Sequence, residues 1–98
     1  EDFVSDGTDV ISVRGGSELL RDVTGSGCIA GSIISAVLGV RGDPFISSIT
    51  GLIAFKLSAR RAEARSNKPG SFRMYLFDEL SSINGEDIKR EGEIVIWT

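Results

Sequence analysis

The sequence predicts an α/β fold, in which an antiparallel β edge meander precedes three helices and a terminal strand. Three features carry this prediction: the Asp6-Gly7 turn pair between strand-like segments, the apolar run 29–40, and the Asp43-Pro44 pair. Asp-Gly favours a tight hairpin turn, whereas Asp followed by Pro is typical of a helix N-cap and first helical position. With 98 residues, the chain forms one domain at most.

The predicted meander lies before a glycine-rich loop. Its hairpin spans residues 3–13, because β-branched residues follow the Asp6-Gly7 turn. Gly15-Gly16 marks a second reversal, and residues 19–23 are predicted to form the return strand. A last strand over residues 93–97 can complete the sheet or extend from it as an appendage.

The first predicted helix begins at Ser26 or Gly27 and ends at Arg41-Gly42. It is apolar almost all round, which indicates a helix covered on both sides. A bilayer crossing needs about 20 apolar residues, whereas the run 29–40 is shorter and is interrupted by small residues. We therefore expect a core helix, and a chain that is poorly soluble if the outer stripe of this helix stays uncovered.

Two further helices are predicted. Ser71 is predicted to cap the third helix, which follows a loop over residues 66–70 and ends near Asn84-Gly85. The second helix spans residues 45–64 with Asp43 as its N-cap, and the side chains predicted to be buried are Ile46, Ile49, Ile53 and Leu57.

Composition and charge exclude several classes of protein. Hydrophobic residues make up 41% and charged residues 26% of the chain, as in an ordinary globular protein. The net charge of −3 argues against a general affinity for nucleic acid, which needs a concentrated basic surface. The basic cluster 56–65 is interpreted as a solvated helix face, and the charged segment 86–91 is expected to be exposed. A single cysteine and the lack of a signal-like segment favour the cytoplasm.

The segment 22–28 is the most informative part of the chain, because a glycine loop there opens directly into the apolar run. Such a junction aims unpaired backbone N–H groups and the positive end of the helix dipole at one point. The spacing matches neither a Walker loop nor the dinucleotide fingerprint. Two interpretations stay open: a tight turn that needs positive φ, or an anion site formed by the amides of Gly25, Ser26, Gly27 and Cys28.

Cys28 lies in the first turn of the predicted helix, beside the candidate anion site. A free cysteine is often a small buried hydrophobe, but a helix N-terminus favours the thiolate. A nucleophilic cysteine normally has a histidine partner, and the chain contains no histidine. The sequence therefore favours Cys28 as a general base, which takes a proton from an attacking hydroxyl during phosphoryl transfer.

Five blocks of the sequence carry a family resemblance, namely Asp2–Gly7, Gly16–Leu20, Val23–Cys28, Asp43-Pro44 and Pro69–Arg73. In the content, order and spacing of these blocks the chain resembles the hydroxyethylthiazole kinase family of the ribokinase-like superfamily. The resemblance implies that residues 1–98 are the C-terminal part of a single ribokinase-like kinase domain whose N-terminal portion is absent.

The resemblance also implies an activity: an ATP- and Mg²⁺-dependent transferase of thiamine biosynthesis, which phosphorylates the primary alcohol of 4-methyl-5-(2-hydroxyethyl)thiazole. By position, Cys28 corresponds to the proton-abstracting residue, Gly25 to a substrate-contacting glycine, and the amides of residues 25–28 to the anion hole. Pro69 and Gly70 resemble a segment near the nucleotide, although a helix-capping loop explains them equally well. The thiazole pocket and the magnesium-coordinating acids are expected outside this chain, and complete enzymes of the family are homotrimers.

Three alternatives stay open. A hydroxymethylpyrimidine kinase, or another ribokinase-like small-molecule kinase, can also carry a cysteine after the G-x-G. A non-catalytic interaction module that retains the fold would be indifferent to Cys28, and an anion-responsive regulatory domain would use the loop without the thiol. In every kinase interpretation, the chain alone is expected to be inactive or nearly so.

Overall fold

A computed structural model describes residues 2–23 and 25–97, so that Thr24 of the glycine loop lies outside the described residues. Two strands come first, helices follow, and a third strand ends the chain, so the predicted α/β class is confirmed. In chain order the elements are β1 (Asp2–Ser5), β2 (Val10–Val13), a 3-10 helix (Glu18–Asp22), α1 (Ser26–Arg41), α2 (Pro44–Arg65), α3 (Pro69–Ser82), α4 (Gly85–Glu91) and β3 (Ile94–Ile96).

The predicted hairpin is confirmed, and its turn is held by short-range contacts. Asp6 Oδ1 accepts the backbone N–H groups of Thr8 at 2.9 Å and Asp9 at 2.7 Å. These two hydrogen bonds, that from Asp9 first, hold the pKa of the Asp6 carboxyl below its usual value. Gly7 has φ +95°, a conformation that favours glycine.

The terminal strand completes the sheet. β3 pairs antiparallel with β2, so the strand order is β1-β2-β3 and β2 is central. Val13, the last residue of β2, lies opposite Asp2 on one side and Ile94 on the other. The second edge strand of the sheet is therefore a segment from the far end of the sequence.

The predicted return strand over residues 19–23 is wrong, because this segment contains the 3-10 helix Glu18–Asp22. Ser17 caps the helix, with Oγ accepting the Leu19 amide at 3.1 Å. The place beside β2 that a return strand would occupy is filled by β3. Helical turns also direct Leu19 and Leu20 onto the same hydrophobic cluster as Val23.

The boundaries of α1 and the start of α2 agree with the sequence. Gly42 ends α1 in the left-handed conformation at φ +79°, and its amide donates to the Leu38 carbonyl at 2.8 Å. Asp43 Oδ1 then accepts the amides of Phe45 and Ile46 as the N-cap of α2.

The prediction of α1 as a fully covered core helix is wrong for this chain, because none of its described side chains is buried. One face packs on the core through Ile29, Ala30 and Ile33. The end of the helix leaves Val40 87% exposed. Packing from α2 reaches one side of α1, so its apolar stripes are only half covered. Among the described residues, no helix has the length and apolar character that crossing a membrane requires.

Helix α2 is the centre of the molecule and contributes to two hydrophobic clusters. Of its predicted core positions, Ile49, Ile53 and Leu57 are buried, whereas Ile46 is exposed and that prediction is wrong. The cluster toward the sheet contains Val13, Ile49 and Ile53. The other cluster lies toward α3 and contains Val23, Phe55, Ala59, Ala62, Phe72 and Leu76.

The third helix begins earlier than predicted. Pro69 occupies the first turn of α3, with Lys68 at the N-cap and no side-chain cap, so Ser71 lies within the helix and does not cap it. The loop is correspondingly shorter than residues 66–70. Proline suits this first helical position because it has no N–H to leave unpaired.

The segment 86–91 is a helix and is not fully exposed. Asn84 and Asp87 form a capping box, in which each side chain accepts the other residue's amide. Asp87 is buried against α2 and forms an ion pair with Arg61. The prediction of an exposed charged tail is therefore wrong at Asp87, whereas Glu86, Lys89 and Arg90 are exposed as predicted.

The basic cluster of α2 is a solvated face only in part, since Glu63 and Arg65 are exposed whereas the residues before them are covered. Lys56 is 7% exposed. Arg60 forms an ion pair with Glu93 at 2.7 Å, and Arg61 with Glu91 at 2.5 Å. The acidic C-terminal segment covers this face, so opposite charges that are far apart in the sequence neutralise one another.

Candidate functional site

The glycine loop leads directly into α1, as the sequence predicts. Gly25 is the N-cap of α1 at φ +82°, and no side chain caps this end of the helix. The first helical hydrogen bond runs from the Ile29 amide to the Gly25 carbonyl at 3.0 Å. The amides of residues 26–28 precede that bond, so they have no partner within the helix and are available to an anion.

Gly25 and Gly27 are glycines for different structural reasons. A Cβ atom at Gly25 or at Gly27 would meet no heavy atom within 4 Å among the described residues. Gly25 nevertheless needs to be glycine because of its positive φ. Gly27 has no such backbone requirement, so the absence of a side chain there leaves space in front of the amides.

Cys28 is exposed in the first turn of α1 and forms no disulfide. Its carbonyl accepts a hydrogen bond from Ser32 Oγ at 2.9 Å, one helical turn later. This bond engages the backbone and leaves the thiol accessible to a substrate. The assignment of Cys28 as a general base stays a prediction.

A cavity of about 510 Å³ lies beside the glycine loop and has Gly27 in its wall. One wall is the turn after β2, formed by Gly15, Gly16 and Ser17. The other walls combine apolar side chains with two basic and two acidic ones, namely Leu20, Ala30, Leu52, Phe55, Arg21, Lys56, Asp2 and Glu18. Cavities of several hundred Å³ with mainly apolar walls and a few polar groups are typical of small-molecule sites.

Sequence reasoning misses two parts of this cavity. Gly15-Gly16 is predicted only as a reversal, although both residues have φ near +90° and form a wall. Lys56 belongs to the predicted solvated face, although it lies three positions after the buried Ile53. That i, i+3 spacing places Lys56 on the apolar side of the helix and is the signal that could identify it as buried.

Pro69 and Gly70 lie at the exposed N-terminal end of α3. Neither residue lines the cavity beside the glycine loop. Their predicted contact with a nucleotide stays a prediction and gains no support from the cavity.

Metal ligation is not evident in residues 2–23 and 25–97, which contain no group of three or more histidine, cysteine, aspartate or glutamate side chains placed to hold an ion. Asp2 and Glu18 are acidic side chains in the cavity wall. Asp2 is already engaged by the Lys56 ammonium at 2.9 Å.

Comparison with known proteins agrees with this geometry. The sequence profile of the hydroxyethylthiazole kinase family matches residues 1–86. A hydroxyethylthiazole kinase from Caldivirga maquilingensis is 41% identical over 95 residues, which are 97% of this chain and 36% of that protein. Another from Syntrophomonas wolfei is 39% identical, over 95% of this chain and 36% of that protein.

A solved structure has the same fold. The hydroxyethylthiazole kinase protein from Pyrococcus horikoshii OT3 superposes with a TM-score of 0.92 at 33% identity, over 99% of this chain and 38% of that one. The chain thus spans a little over a third of the length of the relatives it matches. With its profile match, its glycine loop and its fold in agreement, the chain belongs to the hydroxyethylthiazole kinase family.

Proposed function

We propose that this chain is the C-terminal part of a ribokinase-like kinase domain, which transfers the γ-phosphoryl group of ATP to the primary alcohol of 4-methyl-5-(2-hydroxyethyl)thiazole. The observation that carries the proposal is the start of α1, where amides without a partner in the helix lie beside an exposed cysteine. Membership of a family whose members are named for this substrate and reaction supports it.

The anion hole is formed by the amides of Gly25, Ser26, Gly27 and Cys28. Charge on the transferred phosphoryl group is spread over its outer oxygens, so donors held in a fixed position stabilise the transition state. The helix dipole of α1 adds to this effect because its positive end faces the same point.

Cys28 supplies the base. Its thiolate accepts the proton of the substrate hydroxyl as the new O–P bond forms, and the bond between the γ-phosphorus and the bridging oxygen of ADP breaks. Gly25 contacts the substrate on the same side. Gly25 has no side chain that could clash with a heterocycle. The place that a Cβ would occupy there is open space among the described residues.

The cavity beside Gly27 is the proposed nucleotide site. Gly27 lines it and Cys28 does not. An in-line transfer places the leaving group and the attacking hydroxyl on opposite sides of the phosphoryl group. Leu52 and Phe55 offer apolar surface for a base, and Arg21 offers positive charge for phosphates. Magnesium would supply positive charge that neutralises the phosphates, and we propose that its ligands lie in the N-terminal portion.

Three properties of the complete enzyme belong to the same proposal. The N-terminal portion would supply the thiazole pocket, and the complete enzymes would assemble as homotrimers. We further propose the cytoplasm as the compartment in which the exposed, unpaired Cys28 functions, because thiols stay reduced there.

The test uses a completed enzyme, which we define as the Pyrococcus horikoshii protein with its matching 38% replaced by this chain. We expect the completed enzyme to phosphorylate the thiazole alcohol faster than a hydroxymethylpyrimidine alcohol. The Cys28→Ala variant should lose about 10²- to 10⁴-fold in kcat, the usual contribution of a general base. Cys28→Asp should retain or raise turnover, because a carboxylate can accept the same proton.

Ser35→Ala is the matched control, since Ser35 is an exposed residue of the same helix. It should leave kcat and KM unchanged. Full activity in Cys28→Ala would remove the base assignment. A completed enzyme with no turnover, beside an active unaltered Pyrococcus protein, would instead favour a non-catalytic module and overturn the proposed function.

A further inference from the structure

Lys56 is a buried cation in the cavity wall, and its ammonium group joins three elements. It extends from α2, and Nζ donates to the carbonyl of Val13 at 3.0 Å. The same Nζ lies 2.9 Å from Asp2 Oδ2. Asp2 and Val13 are register partners in β1 and β2. Lys56 therefore attaches the end of the hairpin to α2.

The aliphatic part of Lys56 supports the turn that follows Val13. A Cβ atom built on Gly16 would lie 3.4 Å from Lys56 Cγ and 3.6 Å from Lys56 Cβ. Gly16 thus packs directly on this side chain. Gly15 and Gly16 both have φ near +90°, a conformation that favours glycine. As glycines they have no side chains that could fix the position of the turn.

The position of this turn determines the width of the cavity. Gly15, Gly16 and Ser17 form one wall, and Gly27 and Ala30 of α1 lie in the same cavity. The first residue of the turn is tied to the segment just before β3, where the Arg14 amide donates to the Glu93 carbonyl at 2.8 Å. Lys56 provides the corresponding attachment on the side of the cavity.

The ion pair of buried Lys56 with Asp2, whose side chain is 56% exposed, is not needed for stability here. Well-packed apolar residues of similar volume often stabilise a fold as well as a buried charge does, because removing a charge from water is costly. A methionine at position 56 could fill the same space against Gly16. The ammonium is directed at the Val13 carbonyl and the Asp2 carboxylate, and this contact fixes the position of the hairpin end relative to α2.

We propose that Lys56 is a positioning residue for the nucleotide, which holds the turn of residues 14–17 at the distance from Gly27 that a bound nucleotide needs. This inference rests on the proposed function, because it takes the cavity as the nucleotide site. Lys56 acts through the turn and contacts no reacting atom.

The experiment compares Lys56→Met with the unaltered completed enzyme. Methionine keeps the unbranched apolar stem, one atom shorter, and removes the charge. We expect the KM for ATP to rise about tenfold, and the affinity for ADP in a direct titration to fall by a similar factor, because small displacements of a binding wall have effects of that size. The kcat at saturating ATP should stay within about twofold, since the anion hole and Cys28 are not displaced.

Three further variants separate position from general stability. Lys56→Arg should restore most of the affinity, because a guanidinium can reach the same two oxygens. Asp2→Asn should show a smaller loss of ADP affinity. It also tests the contact between Lys56 and Asp2 if Lys56→Met does not fold. Arg65→Met, the loss of a paired cation on the same helix and outside the cavity lining, should leave the affinity for ADP unchanged.

Each result decides between the two proposals. Turnover with unchanged ADP affinity in Lys56→Met and Asp2→Asn would overturn the role of Lys56 and leave the kinase proposal standing. An enzyme without turnover whose ADP affinity still falls in Lys56→Met would retain the positioning role and overturn the kinase proposal. An unaltered completed enzyme that does not bind ADP would overturn the positioning role directly.

Discussion

Arg61 and Glu91 form a hydrogen-bonded ion pair, with Nη2 donating to Oε2 at 2.5 Å across thirty positions of sequence. The same guanidinium nitrogen lies 3.4 Å from Asp87 Oδ1. Burial acts to lower the pKa of Arg61, but hydrogen bonds to Asp87 and Glu91 outweigh it and the pKa is raised. This ion pair fastens α4 to α2 and so positions β3, which begins three residues after Glu91.

The acid groups of this network predict how stability depends on pH. Burial acts to raise the pKa of Asp87, but the Asn84 amide and Arg61 lower it overall. The Arg61 hydrogen bond lowers the pKa of Glu91. A folded-state pKa below the unfolded value contributes stability above the unfolded value, about 4 for these groups, and the contribution is lost as the pH falls through the folded value.

We therefore expect the free energy of unfolding to be constant between about pH 5 and 7 as far as these groups contribute, and to fall steadily below about pH 4. Urea denaturation of Glu91→Gln should show a loss at about pH 7 that shrinks toward about pH 3. Glu63→Gln, at an exposed position of α2, serves as the control. An equal loss for Glu91→Gln at both pH values would contradict the assigned role of its charge.

The contact between α1 and α2 at Gly51 leads to a second prediction. A Cβ atom there would lie 2.8 Å from Ile34 Cγ1 and 3.1 Å from Ile34 Cα. Gly51→Ala should therefore separate the helices and cost about 1–2 kcal/mol, since overpacking outweighs the gain in helix propensity. Gly31→Ala, in α1 with open space around its Cβ, should instead stabilise the chain by about 0.5–1 kcal/mol. Chemical denaturation of both variants measures the difference, and equal effects would argue against close helix contact at Gly51.

The two loop glycines predict a separation of stability from activity. Gly25→Ala should lose about 1–2 kcal/mol of stability, because its φ of +82° is strained for any residue with a Cβ. Gly27→Ala carries no such strain and should melt at or slightly above the temperature of the unaltered chain, because alanine has the higher helix propensity. In the completed enzyme, however, the new methyl group at position 27 obstructs the anion hole, and we expect kcat/KM to fall by at least about tenfold. Normal kcat/KM in Gly27→Ala would place the phosphoryl group elsewhere.

Elements held by short-range contacts are predictable from the sequence. The Asp6 turn, the Asp43 N-cap and the Gly42 end of α1 all depend on hydrogen bonds within four positions. The junction of the glycine loop with α1 belongs to the same class. Its first amides have no partner within the helix because of where the helix begins, so the order of residues alone is enough to indicate the candidate anion site.

Elements held by long-range contacts are not predictable in the same way. The Trp97 indole donates to Ser12 Oγ at 3.0 Å across eighty-five positions, and β3 fills the place that the sequence assigns to a strand over residues 19–23. The burial of Lys56 depends on Val13, forty-three positions away. Hydrophobic periodicity does not specify which distant acid will cover a basic helix face, so it assigns the cluster 56–65 to solvent.

The local turns, the helix starts and the location of the candidate anion loop follow from the order of neighbouring residues, because each depends on short-range hydrogen bonds. The pairing of the C-terminal segment with the sheet, the cover that its acids give α2, and the cavity beside Gly27 are features of the folded chain alone. Those features arise from side chains and strands brought together across the chain, and the free energy that selects them is that of packing and charge pairing in the whole fold.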